Sequence, residues 1–250
     1  MVQSLDRGIR ILEILEWKKS AGVTELAIDL GINKSTAYRL LYTLRNKNLI
    51  EQNEDTDKYC LCAGILRLGN SMLKNTTAIS QARPYLEELS KITKESAHLS
   101  VFTNMRVVVV DQVMSLEAIK VTASIGREEY IHCSSLGKAT LAYQPEDVQE
   151  NILNNITLEK ITDKTITDKQ ELIDQLFVIS TQGYAIDDEE MAPGVRCIAA
   201  PIIDNRGVVK YCVGISGPTN RMKTELLQDY AAKVKSTAEK IAVEREFFIL

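Results

Sequence analysis

Two stretches of this 250-residue chain bring together residue types that could do chemistry. The first is "NKSTAYRLLYTLRNK", residues 33 to 47. It carries four basic side chains, Lys34, Arg39, Arg45 and Lys47, and no acidic one. With the hydroxyls of Ser35, Thr36 and Tyr38 among them, such a run suits a polyanion: bases and hydroxyls hold phosphates, and an arginine can read a guanine edge bidentately. The second is "HCSSLGK", residues 132 to 138, where Ser134 and Ser135 open a predicted helix. Hydroxyls and first-turn N–H groups point the same way there and favour an anion. Ser135-x-x-Lys138 also fits a serine–lysine nucleophile pattern, but the "SDN" and "KTG" motifs that accompany it in β-lactamase-like enzymes are absent. The segment "GISGP" lacks the serine-centred spacing of a nucleophile elbow, and there are two histidines, His98 and His132. An enzyme has few candidates here for a nucleophile, a base and an orienting group.

The five cysteines are an odd number at irregular spacing, so reduced thiols are expected rather than a disulfide framework. Cys60 and Cys62 face one side of a predicted strand. With Cys133, Cys197 and His132 they would make a thiol or metal sensor. No C-x2-C spacing occurs, however, and the pairs fall in different predicted domains. Neither a metal nor a cofactor is expected.

The elements that must position these residues follow from composition and period. Hydrophobic content of 45% and charged content of 26% are ordinary for a soluble globular protein. No apolar run reaches the ~18 residues of a membrane span. The N-terminus lacks a signal-peptide core. The chain therefore reads as cytoplasmic, without a membrane partner. Residues 1–70 hold ten Lys or Arg against nine Asp or Glu, whereas the rest holds twenty against twenty-five. A polyanion partner is thus expected for the first part alone.

"SLDRGIRILEILEW" predicts a helix capped by Ser4, with Leu5, Ile9, Leu12 and Leu15 or Trp17 inward. "GVTELAIDLGI" predicts a short helix with Leu26, Ala27 and Leu30 inward and Gly31 ending it. "NKSTAYRLLYTLRNK" predicts a third, capped by Ser35, with Ala37, Leu40, Leu41 and Leu44 as its apolar stripe. "LIEQNEDTDKYCLC" predicts a hairpin turning at Glu54–Asp57. Three short helices and a hairpin are the order of a winged helix-turn-helix. The acidic tip, "NEDTDK", argues against deep insertion of the wing. A helical stretch follows, with Pro84 in the first turn of a new helix. "AHLSVFTN", "RVVVVDQV" and "AIKVTASI" predict strands. "SLGKATLAYQ", "PEDVQENIL" and "DKQELIDQLFVISTQ" predict helices. "CIAAPIIDN" and "VVKYCVGISG" predict a hairpin turning at Arg206–Gly207, and a long helix is expected from Pro218 to Phe247. The mixture, with its antiparallel final hairpin, is α+β.

At this point five segments match one family in order. "VQSLDRGIRILEIL", "TELAIDLGINKSTAYRLLYTL", "ARPYLEELSKIT", "IHCSSLGKATLA" and "GYAIDDEEMAPGVRCIAAPI", the last followed by "GISGP", resemble the IclR family of bacterial transcriptional regulators. The resemblance implies a winged helix-turn-helix over residues 1–65, a helical linker over 66–82 and a GAF-like effector domain over 83–250. It implies a ligand-responsive regulator, expected to be a repressor, that binds double-stranded operator DNA and a small-molecule effector as a homodimer or homotetramer. Lys34, Ser35, Thr36, Tyr38, Arg39 and Arg45 are then the DNA-facing candidates. The effector site implied by similarity comprises Ser135, Leu136, Asp187, Val195, Cys197, Gly214 and Ser216. Ser135 is bulkier and more polar than the small residue usual in the family, and Gly214 lacks a hydroxyl that some members carry. A small organic acid or related metabolite, with or without hydroxyl groups, is the expected effector, with Asp187 accepting hydrogen bonds from ligand hydroxyls or from backbone N–H groups.

Overall fold

The computed structural model describes residues 2–75, 77–204 and 206–244. The chain divides after Asn75 into two compact units.

The first unit holds α1 (Gln3–Lys18), α2 (Val23–Asp29), α3 (Lys34–Asn46), the strands β1 (Ile50–Gln52) and β2 (Tyr59–Leu61), and α4 (Gly64–Asn75). Its core is Ile11, Leu15, Ala21, Leu26, Leu30, Leu41, Ile50 and Tyr59. Between α2 and α3 the chain reverses at Gly31, whose φ of 61° suits a residue without a Cβ. The Ile32 N–H donates to the Ala27 carbonyl, closing the end of α2. β1 and β2 pair antiparallel, Glu51 opposite Cys60, and form the wing.

α1 departs from expectation. It buries Gly8, Ile11 and Leu15, while Leu5, Ile9 and Trp17 stay exposed and Leu12 is half-buried. Two apolar stripes compete along this helix. The one that faces the core begins at a glycine, which a count of hydrophobic residues does not see. The helix also starts before Ser4, with Val2 in the cap position and no side-chain cap bond.

The second unit opens with α5 (Thr77–Thr93) and is built on a six-stranded antiparallel sheet. Its strands are β3 (Ser96–Thr103), β4 (Arg106–Val113), β5 (Glu128–Glu129), β6 (Ala185–Asp188), β7 (Val195–Ile203) and β8 (Val209–Pro218), in the order β5-β4-β3-β8-β7-β6. Strand alternation splits β7 and β8 between two cores. Ile198, Ala200, Ile202, Tyr211, Val213 and Ile215 pack on α5 and on α9 (Leu227–Ala242). Ala199, Cys212 and their neighbours pack on α6 (Ser135–Leu141) and α8 (Lys169–Gln182), with α7 (Glu146–Asn155) alongside. Burial on both faces is why β7 and β8 read as nearly unbroken apolar runs.

Three expectations are corrected here. Pro84 lies inside α5, not in its first turn. It is exposed, so the Ser80 carbonyl that loses its donor faces water, while Ala82, Leu86 and Leu89 hold the helix on the sheet. Residues 118–125 form no strand; they run as an irregular segment with Ile119 and Ile125 exposed. Their β-branched residues gave a strand-like composition without a buried face to support it. The closing helix starts at Leu227, after a 3-10 turn at Thr224–Leu226, and not at Pro218. Its expected end at Phe247 lies outside the described residues. Among the described residues no helix is long and apolar enough to cross a membrane.

Candidate nucleic-acid interface and effector cavity

Ala37 and Leu41 are fully buried and fix the rotation of α3. A rotation of 100° per residue then turns Ser35, Tyr38 and Arg39 outward; Lys34 and Arg45, near the two ends of the helix, are exposed with them. Thr36 is half-buried. Its N–H donates to Asn33 Oδ1 at 2.8 Å, so Asn33 caps the helix. Ser35, the expected cap, lies inside α3 and donates its hydroxyl to the same Asn33 oxygen at 2.9 Å. Asparagine two residues earlier takes the capping role that Ser35 was expected to play.

Among the described residues the ion pairs of this unit are Lys18–Asp29 and Lys58–Glu25, and neither uses a base of α3. The positive face is therefore unspent. Tyr42 shares that face, 61% exposed and one turn beyond Tyr38. Its i, i+4 spacing from Tyr38 was the signal that could have added it to the candidates. At the wing tip the Asn53 carboxamide accepts from the N–H groups of Asp55 and Thr56, at 3.0 and 2.9 Å. This holds the carboxylates of Glu54, Asp55 and Asp57 in an exposed turn, where they repel phosphate.

In the second unit, pairing registers place Asp187 of β6 opposite Cys197 of β7, Cys197 opposite Ser216 of β8, and Ser216 opposite Ser96 of β3. Asp187, Cys197 and Ser216 of this row floor a cavity of about 260 Å3. Ser135, Leu136, Asp187, Val195, Cys197 and Ser216 line it together, although they come from four elements spread over 82 residues of sequence. Gly214 does not line it. It sits one row further along β8, where a Cβ would come within 2.8 Å of the Ile198 carbonyl oxygen.

The lining also includes residues that sequence reasoning missed. Met191 flanks the expected positions, and Val121, Thr122 and Ala123 come from the irregular segment; Ser134, already marked as a helix-opening hydroxyl, lines the cavity too. His98, Arg127 and Glu129 come from β3 and the β5 region. Of these, His98 had a signal: it is the one titratable side chain within the strand segment "AHLSVF".

α6 is held against this cavity by three devices. Ser134 Oγ accepts from the Gly137 N–H at 3.0 Å and caps the helix. Gly137 lies so close to the preceding loop that a Cβ would meet the Tyr130 carbonyl oxygen at 2.5 Å. Lys138, fully buried, pairs with the Glu190 carboxylate and donates to Gln175 Oε1 at 3.1 Å. That pairing keeps the ammonium occupied, and it has no hydrogen bond to Ser135 to make a serine–lysine nucleophile.

The electrostatics favour neutral groups. Burial pushes the Asp187 carboxyl up to about 7 against two backbone N–H bonds, from Glu190 at 2.8 Å and Met191 at 3.3 Å, both to Oδ1. Oδ2 has no partner among the described residues. Burial also raises Glu129, partly countered by Arg127 at 3.7 Å. It lowers His98 to about 4 and pushes the Cys197 thiol well above its ordinary value. Cys133 and Cys212 are pushed up to about 12 by the same cause. Protonated, buried thiols are poor nucleophiles and poor metal ligands. Among the described residues no three His, Cys, Asp or Glu side chains are grouped to hold a metal ion.

A winged helix with an unpaired basic face, joined in one chain to an α/β unit with an antiparallel sheet, defines a helix-turn-helix transcriptional regulator. The comparisons say which kind. Residues 4–54 match the IclR helix-turn-helix domain, and residues 70–243 match the C-terminal domain of bacterial transcriptional regulators of the IclR type. The chain belongs to the IclR family, whose members are transcriptional regulators and not enzymes. It is 33% identical to the HTH-type transcriptional regulator KdgR of Escherichia coli, over 97% of this chain and 92% of that protein. It is 30% identical to the transcriptional repressor IclR of the same organism, over 97% and 89%. The crystal structure of Thermotoga maritima IclR superposes with a TM-score of 0.76 at 27% identity, covering 99% of each chain.

Proposed function

We propose that this chain is a ligand-responsive repressor that binds operator DNA through α3 as a homodimer or homotetramer and takes a small organic acid, hydroxylated, in the cavity over the β6-β7-β8-β3 row. Residues 1–65 serve DNA, 83–250 serve the effector, and 66–82 connect them. Lys34, Ser35 and Thr36 hold phosphates; Tyr38, Arg39 and Arg45 extend the contact along the groove. The observation that carries the effector half is the convergence of Ser135, Leu136, Asp187, Val195, Cys197 and Ser216 on one cavity that also holds an unpartnered carboxyl oxygen. Arg127 supplies a cation for the acid, and the hydroxyls of Ser135 and Ser216 orient it.

A thermal-shift screen over organic acids, followed by calorimetry, tests this reading. A bound acid raises the melting temperature and changes operator affinity. Ser216→Ala should weaken the acid by ~0.5–1.5 kcal/mol, the size of one neutral hydrogen bond, while ligand-free DNA binding stays intact. A preference for a cation or a bare hydrocarbon would sink the proposal.

A further inference from the structure

His98 occupies a position that the ligand reading above does not use. It lies on β3 one row behind Ser96, and its cross-strand neighbours on one side are Gly214 on β8, then Ala199 on β7 and Ala185 on β6. Toward β8, β7 and β6 no large side chain of that row competes with the imidazole for space over the sheet; on the β4 side the neighbour is Gln112. The residue is 2% exposed and lines the cavity, and neither ring nitrogen has a hydrogen-bond partner among the described residues. Buried polar atoms are seldom left unpaired, because each one forfeits its hydration. Asp187 Oδ2, on the same cavity wall, is likewise unpartnered.

A neutral imidazole offers one N–H donor and one lone-pair acceptor on different edges of the ring. A carboxylate can meet only the donor and an ammonium only the acceptor. A hydroxyl can meet either. Arg127, half-exposed, is the one lysine or arginine among the described lining residues, so the charged end of an acid belongs near it.

We propose that His98 is the specificity-determining residue of the effector cavity, taking a hydroxyl of a hydroxy acid whose carboxylate lies toward Arg127. The assignment rests on the effector reading of this cavity. It separates a hydroxy acid from its deoxy counterpart, since the latter leaves the buried ring unpaired.

The test uses the full-length chain and matched probes: lactate with propionate, malate with succinate, and 4-hydroxybenzoate with benzoate. In at least one pair the hydroxylated member should bind tenfold or more tighter. His98→Leu should erase that preference by weakening the hydroxylated member about tenfold and leaving the deoxy member unchanged; His98→Gln, which keeps a donor and an acceptor, should restore part of it. Retained preference in His98→Leu, or equal loss for both members, overturns the role of His98 while leaving the cavity reading standing. No binding of any probe removes the cavity reading and this assignment with it. A second readout needs no active variant. The chain has two histidines, so its imidazole 15N spectrum contains two sets of signals. The set missing from His98→Gln should move in the wild type on adding the hydroxy acid and stay fixed with the deoxy acid; the reverse overturns the contact.

Discussion

Arg39 leaves α3 on the side opposite Ala37 and Leu41, exposed and outside both ion pairs of its unit. If it reads a base, Arg39→Ala should cost ~1–3 kcal/mol on the operator and relax preference at one position per half-site. Binding assays on operator and random duplexes distinguish this from a phosphate contact, which would lose equally on both. Asp187 makes a different demand. Its folded carboxyl titrates at about 7 and its ordinary value is 3.8, so between those values the folded state holds a proton that the unfolded chain has released. Stability therefore falls as pH rises through that window. Asp187→Asn keeps an acceptor for the Glu190 and Met191 N–H groups and removes the titration. It should flatten the decline of melting temperature between about pH 5 and 7 and gain of order 1–3 kcal/mol at neutral pH. Glu129 and Glu190, both raised by burial, titrate with the same sign, so some slope should persist. An unchanged slope would show that Asp187 stays ionised throughout. At this scale the sequence was generous: six of the seven residues named by resemblance share the cavity. The places of His98 and Arg127 in the cavity were not legible. A lone buried histidine and a half-exposed arginine acquire meaning only when strand register brings them beside residues far away in the chain.

The elements were legible in type and less so in their edges. α3 shows why. Its apolar stripe announced the helix, but two residues, Asn33 and Ser35, could both cap it, and only geometry decides between them. Asn33→Ala should therefore cost the first unit about 0.5–2 kcal/mol, and Ser35→Ala much less, as read by chemical denaturation. Equal costs would return the cap to Ser35. The strand expected over 118–125 failed for a related reason. Composition can mark a segment as willing to extend, but a strand also needs a neighbour to pair with along its length. Here backbone bonding to β4 begins only past the segment, with the Gly126 N–H to the Val109 carbonyl. The misplaced start of α5 has the same origin. Pro84 reads as a beginning because it lacks a donor, yet a solvent-facing carbonyl at Ser80 tolerates that lack.

For the whole molecule, the division of charge between the first 70 residues and the rest anticipated two tasks, and the two compact units agree with it. What the sequence could not show is how unevenly the second unit is braced around its cavity. The floor is four paired strands, each tied to its neighbours by ladder hydrogen bonds. One wall, residues 121 to 123, has no ladder at all. Local opening is easiest where buried contacts and backbone bonds are fewest. Amide deuterium uptake should accordingly be slow and indifferent to ligand along the floor, around Cys197 and Ser216. Over 116–125 it should be fast in the free protein and several-fold slower once the cavity is filled. A response confined to the floor strands would contradict this. A bound acid would then be reported outward through the one part of its enclosure that was never rigid, so the weakest-held wall of the cavity is also the part best able to carry its signal.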